Sequence, residues 1–206
     1  MENNNLSSIE IGRLLRAGIN GFVAGCKVAL SQQPSFGAMV AAPQGNGYQI
    51  YGLIQDIRIE DDGLVRQLVT ADVTESSVIA DNRINRNVPL EMSVVCIGYK
   101  QGDQIYHLLP PRPPLSLDVI RLCGGEELRQ FTATGRFGYF RHILNAAEIP
   151  PGELIAAHFR FAAEAHRSGG DSSWSNEAAA ELITILRDDY HTLMGVLSAL
   201  GDTLQF

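Results

Sequence analysis

Five histidines, three cysteines and one glycine-rich run ending in lysine are the residues with which this 206-residue chain could do recognisable chemistry. Their spacing decides what is available. His107, His142, His158, His166 and His191 stand apart, none in an HxxxH or HExxH pattern, and His158 and His166 lie two helical turns from each other, too far to share one metal ion. Cys26, Cys96 and Cys123 are odd in number and widely separated, which argues against a disulfide framework or a CxxC knuckle and predicts buried, reduced thiols. Gly21-Phe22-Val23-Ala24-Gly25-Cys26-Lys27 looks superficially like a phosphate loop, but its spacing is one residue short and Val28 stands where Ser or Thr would hold Mg²⁺. Gly45-Asn46-Gly47 precedes a strand rather than joining a strand to a helix, so it fails as a dinucleotide fingerprint. No serine occupies a GxSxG elbow. Glu60-Asp61-Asp62 reads as acids capping a turn in solvent. No catalytic, cofactor or metal site is expected, and the chain reads as a non-enzyme. An enzyme with an unfamiliar site is a further alternative, with Asp56, Arg58 and Asp62 as the first residues to inspect.

The elements that would position these residues fall into two halves. From Ile9 to about Cys123 the chain is rich in β-branched residues and punctuated by turn formers. Strands are expected at Ile11–Arg16, Phe22–Val28, Ala38–Ala42, Tyr48–Glu60, Leu90–Lys100 and Gln104–Leu109. Gly18–Gly21 permits a tight reversal, Pro34–Gly37 breaks the chain, Pro43–Gly47 tolerates positive φ, and Lys100–Asp103 forms a hairpin loop. Short strands at this spacing predict a sandwich or small barrel rather than βαβ units. Tyr48 to Asp62 is the most telling run. Tyr48, Ile50 and Ile54 on one parity, and Tyr51, Leu53, Ile57 and Ile59 on the other, predict a strand covered on both faces for part of its length. Gly52 suits a bend at a barrel corner or a close backbone approach. Asp56 and Arg58 share a face as an exposed charge pair. Residues 63–87 mix apolar runs with turn formers, with one helical turn conceivable at Val78–Arg83, and form either a partly helical or a functional excursion.

Leu108–Leu117 holds four of the nine prolines and must run extended. It reads as a rigid strap between domains, its resemblance to a ligand for proline-reading modules being the lesser alternative. The expected organisation is therefore α+β, an antiparallel barrel over 9–109, a strap over 110–117 and a helical domain over 118–206. Helices are expected at Glu126–Phe131, Phe137–Ala147 and Glu153–His166, with a final one over about Asn176–Gly201. Leu182, Leu186, Leu193, Leu197, Leu200 and Leu204 make a stripe on that helix, which packs on the preceding helix and is also a possible seam for a homo-oligomer. Phe137, Tyr139, Phe140, Phe159, Phe161 and Trp174 have core-like spacing and lack the interleaved lysines of a single-strand groove. Arg129, Arg136 and Arg141 form one modest basic cluster suited to a partner contact.

A hydrophobic content of 45% supplies a real core, and a formal charge of −7 argues against phosphate binding by counterion release. The first residues carry neither a basic n-region nor an apolar h-region, and no run approaches the ~20 apolar residues of a membrane span. These features predict a soluble cytoplasmic protein without direct nucleic-acid binding.

Ile11-Gly12-Arg13-Leu14-Leu15, Phe22-Val23, Cys26-Lys27-Val28, Phe36-Gly37-Ala38-Met39-Val40 and Tyr51-Gly52-Leu53-Ile54-Gln55-Asp56-Ile57-Arg58 together resemble the HAS barrel, shared by HerA-type DNA-translocating ATPases and the N-termini of ATP synthase subunits. The resemblance covers residues 9–100. In that family the barrel precedes a motor and helps subunits form a ring; here no Walker A motif follows, so hydrolysis does not carry over. The resemblance implies a stand-alone assembly or adaptor module, accessory to a separately encoded ring ATPase or an associated nuclease in DNA processing. Contacts are expected from the barrel rim (Asp56, Arg58), the arginines, and Leu193, Leu197 and Leu200. The alternative is a single-stranded nucleic-acid-binding barrel.

Overall fold

A computed structural model describes residues 9–26, 34–59, 90–146 and 149–204. The expectations for Lys27, Val28, Glu60–Asp62, residues 63–87 and Ala147 lie outside them. The described strands are β1 (Glu10–Ala17), β2 (Gly21–Cys26), β3 (Met39–Pro43), β4 (Tyr48–Ile59), β5 (Leu90–Gln101), β6 (Gln104–Tyr106) and β7 (Val119–Leu122). They run in the order β2-β1-β7-β3-β4-β5-β6, and β2 also pairs with β5. That last pairing closes an antiparallel six-stranded barrel, with β6 appended outside the closure. Closure matters because it removes the unpaired backbone row that an open sheet would offer to other chains.

The barrel interior is filled from every strand of the closure, with Ile11, Leu14, Phe22, Ala24, Val40, Ile50, Ile54, Met92, Val94 and Ile120 among its buried side chains. The opposite parity of β3, β4 and β5 points outward: Met39, Ala41, Tyr51, Leu53, Val95 and Ile97 join a second core shared with the helices. The two-faced composition of β4 thus has its expected cause. Gly52 sits where the β4–β5 register jumps from Tyr51↔Gly98 to Gly52↔Cys96, leaving Ile97 as the extra residue on β5. A Cβ at Gly52 would lie 2.4 Å from Val94 Cγ1 and 2.8 Å from the Val95 carbonyl, so the corner closes only without a side chain.

Five α-helices of the described residues follow: α1 (Gly125–Ala133), α2 (Phe140–Leu144), α3 (Pro151–Ser168), α4 (Trp174–Ile185) and α5 (Tyr190–Leu204). The expected single helix over Asn176–Gly201 is two. The leucine stripe runs through Leu186 to Leu193 in one seven-residue step, but the chain turns at 186–189. Asp189 then caps α5, its Oδ1 accepting the Thr192 N–H at 3.1 Å.

The proline tract also leads somewhere unexpected. Val119–Leu122, placed by its position with the helical half, is the strand that fills the barrel between β1 and β3. Leu117 and Asp118 guide it in, through Leu117 N–H to the Leu14 carbonyl (2.8 Å) and Leu14 N–H to the Asp118 carbonyl (2.9 Å). No helix of the described residues is long and apolar enough to cross a membrane.

Candidate functional site

Among the described residues, polar side chains converge in three places on or beneath the helical layer, and each can be judged by what its atoms have left to offer. The first spans β4, β7 and α1. Arg121 makes a two-pronged pair with Glu127, Nη1 to Oε2 at 2.6 Å and Nη2 to Oε1 at 2.7 Å. Gln49 both donates to Glu127 (2.7 Å) and accepts from Arg121 (2.6 Å), and Tyr51 donates its hydroxyl to Glu127 at 3.1 Å. Burial alone would raise the Glu127 carboxyl, but its bonds from Arg121, Gln49 and Tyr51 hold it below the usual range. Burial, with Glu127 beside it, puts the Tyr51 hydroxyl well above its ordinary range. This is a clamp of α1 onto the barrel rather than an acid–base pair.

The second place is a triad in outline. Thr132 Oγ1 lies 2.8 Å from His166 Nε2, and His166 Nδ1 lies 3.0 Å from Asp171 Oδ2. That order is the arrangement of an activated nucleophile. Its surroundings deny the role. Thr132 is fully buried within α1 and donates to the Leu128 carbonyl at 2.8 Å. The imidazole is stacked on Trp174 at 4.7 Å, and Asp171 Oδ1 accepts from the Ser173 and Trp174 N–H groups at the start of α4. Burial holds the His166 pKa down, against the pull of Asp171. The set is a strut tying α1, α3 and α4 together. Sequence spacing missed it because its members are 34 and 5 residues apart, on three elements.

The third place lines His107, Tyr139 and His158 in a row between β6 and α3. Tyr139 meets His107 edge-on at 5.0 Å and His158 at 5.5 Å. His107 Nε2 donates to the Phe131 carbonyl at 3.0 Å, leaving Nδ1 facing Gly135. Neither His107 Nδ1 nor the Tyr139 hydroxyl has a hydrogen-bond partner among the described residues. Burial lowers both histidines to about 4, against the Phe131 carbonyl for His107 and the Gly37 backbone for His158.

The remaining anticipated residues scatter. Asp56 and Arg58 form an ion pair on β4 at 2.5 Å, with Arg58 in register with Glu91, the carboxylate that pairs with Arg16. Arg129 pairs with Glu126 and donates to the Gly169 carbonyl at 3.1 Å, at the C-terminal end of α3. Arg141 donates to the His107 carbonyl, and Arg136 is exposed in a left-handed turn. The three arginines therefore serve different attachments instead of forming one basic patch. Leu200 is buried and Leu193 packs with it in the core shared with α3, while Leu197 is half-buried. Phe137, Tyr139, Phe140, Phe159, Phe161 and Trp174 lie in or against the same core.

The proline strap is pinned by Pro110 and Pro114, both buried, and exposes Pro111, Arg112 and Pro113. Each PxxP pair, 110 with 113 and 111 with 114, thus has one proline committed to the chain's own fold. That favours a strap over a ligand for proline-reading modules.

What the helical layer leaves uncovered is the wall of β1 and β2. Gly12, Gly21 and Gly25 form its floor: a Cβ at Gly12 would fall 2.2 Å from the Gly25 carbonyl, and one at Gly21 would fall 2.4 Å from the Val94 carbonyl. Leu15 lies across Gly25 and is 46% exposed; Leu115 and Leu117 are each 69% exposed. Between this wall and α2 runs an open groove of about 610 Å³, bordered by Arg16, Gly21, Val23, Ser93 and His142. Arg16 pairs with Glu91 at 3.6 Å, and His142 faces the His107 carbonyl at 3.2 Å. No protein-family model matches this chain, and no curated protein matches it significantly.

Proposed function

We propose that this chain is a non-enzymatic assembly or adaptor module that docks through the β1–β2 wall of its barrel, which the described helices leave uncovered. The observation that carries the reading is the division of labour around the barrel. Helices cover the outward face of β3–β5, whereas β1–β2 present a glycine floor edged by exposed Leu15, Leu115 and Leu117. Exposed leucines beside paired charges, over a floor without side chains, suit protein contact better than bond-making chemistry. The bonds of the Glu127 and His166 networks are spent on holding the helices in place.

The HAS-like order supports a narrower version. Ile11-Gly12-Arg13 falls on β1, Met39-Val40 on β3 and Tyr51–Arg58 on β4 of a closed barrel. On this version the partner is a separately encoded ring ATPase of the HerA kind, or a nuclease acting with it. A single-strand-binding role draws less support, since Arg13, Arg16 and Arg58 on this side each stand beside a carboxylate of Glu10, Glu91 or Asp56. Affinity purification from the native organism tests the reading, with Leu117→Glu as the control for the wall. Recovery of an ATPase or DNA-processing protein by the wild type and its loss with the variant is expected. Recovery of no protein partner, or one indifferent to the wall, counts against it.

A further inference from the structure

From Thr192 to Gly201 the sequence TLMGVLSALG contains no ionisable residue, although half of the helix it forms faces outward. Val196 and Leu200 turn inward onto α3, as does Leu193 in part. On the opposite side lie Tyr190 (72% exposed), Met194 (47% exposed), Ser198 and Gly201. A solvated helix face ordinarily carries Glu, Lys or Arg there. A Cβ at Gly195 or Gly201 would meet nothing within 4 Å, so the chain's own packing requires neither glycine, and each weakens the helix by about 1 kcal/mol relative to alanine.

The two ends of this face differ in shape. Its N-terminal half carries the bulky Tyr190 and Met194, and its C-terminal half carries the small Ser198 and Gly201. We infer that this face of α5 is the seat of a second copy of the chain, the two helices crossing antiparallel about a dyad at the level of Val196. The inference rests on the assembly reading above and names one of its partners. Antiparallel crossing places Met194 over Ser198 of the other copy, and Tyr190 over Gly201 and Asp202. Each bulky half then fills the shallow half of its mate, which is the self-complementarity an isologous interface demands. The polar ends agree as well. The Asp202 carboxylate of one copy meets the Tyr190 hydroxyl and His191 imidazole of the other, and the helix dipoles run head to tail. A parallel crossing would instead set Tyr190 on Tyr190 and Asp202 on Asp202.

Light scattering across a concentration series on the full chain tests this, with folding of every variant checked by circular dichroism melts. The wild type is expected to rise from 22.4 kDa toward twice that mass. Ser198→Lys, on the exposed face and away from the intrachain core, is expected to weaken association by roughly tenfold or more. Met194→Glu/Ser198→Lys together set opposite charges across the dyad twice and are expected to restore it. A parallel pair would bring like charges together in that double variant and lose association further. A monomer mass throughout, association indifferent to Ser198→Lys, or a double variant weaker than the single would each overturn the inference. A monomeric chain that still captures a heterologous partner through the β1–β2 wall would remove this inference while leaving the assembly reading in place.

Discussion

Arg121–Glu127–Gln49–Tyr51 and His107–Tyr139–His158 lie in the same seam between barrel and helices, yet they handle burial in opposite ways. The first keeps two charges and gives both carboxylate oxygens of Glu127 partners, one of them three. The second keeps no charge and leaves the Tyr139 hydroxyl and His107 Nδ1 without a described partner. Buried polar groups cost least when saturated, and an unsaturated one costs far less neutral than charged. The clamp therefore depends on its members staying together, and the histidine layer depends on its members staying uncharged.

Acid breaks the second arrangement first and gives the largest expected effect. His107 and His158 titrate near 4 in the fold and near 6.5 when unfolded. The unfolded chain therefore binds more protons in between, and stability is lost as pH falls from about 6.5 toward 4. No carboxylate compensates: the charged neighbour of His107 is Arg141, with His142 beside it, and both oppose protonation. Each histidine contributes up to about 3 kcal/mol of this loss. Urea midpoints measured from pH 7.5 to 4.5 should fall steeply in the wild type. In His158→Leu the slope should drop clearly while stability at pH 7.5 changes little, because an apolar side chain replaces a neutral buried one; His107, His142 and His166, also lowered, keep the rest of the slope. An unchanged slope would mean that His158 does not stay neutral in the fold.

Removing one member breaks the first arrangement. Glu127→Ala leaves the Arg121 guanidinium, 17% exposed, without its countercharge and is expected to cost about 3 kcal/mol. Glu127→Leu with Arg121→Met removes both charges and is expected to recover most of that loss, since paired charges are often replaceable by apolar volume. Equal losses in the single and double variants, read from urea melts at pH 7.5, would show that shape rather than pairing holds α1 to the barrel.

These two networks were hardly visible in the sequence, whereas the barrel around them was. The apolar residues on both parities of Tyr48–Ile59 and the glycine turns carry the strand pattern locally, so the two covered faces of β4 and the corner at Gly52 could be read from neighbouring residues. Gly52→Ala sharpens that point: with 2.4 Å to Val94 Cγ1, it is expected to cost about 2 kcal/mol. A thermal melt showing no loss would mean the corner opens without penalty. β7 was hidden because Val119–Leu122 is only four residues long and follows prolines; its identity comes from the gap between β1 and β3, not from its own residues. The α4–α5 break was hidden because leucines three, four and seven apart continue through it. The Thr132–His166–Asp171 strut and the seam networks depend on pairings across distant elements, which no local pattern encodes.

The smallest expected effect also separates the two regions. Beside the unsaturated His107 Nδ1, the backbone of Gly135, Arg136 and Phe137 turns left-handed, at φ of 65°, 49° and 58°. Glycine takes that conformation freely, but for Arg136 and Phe137 it costs roughly 1–2 kcal/mol each. Phe137 is held by stacking on Phe140 and edge contact with Trp174, while the exposed Arg136 has no such restraint. Arg136→Gly should therefore stabilise the chain by about 0.5–1 kcal/mol, the relief of strain exceeding the added freedom of the unfolded glycine. At the clamp, where Gln49, Arg121 and Glu127 lie on ordinary strand and helix backbone, no glycine substitution should help. A melting temperature that falls with Arg136→Gly would show that the arginine side chain, not the turn, secures this edge of the histidine layer.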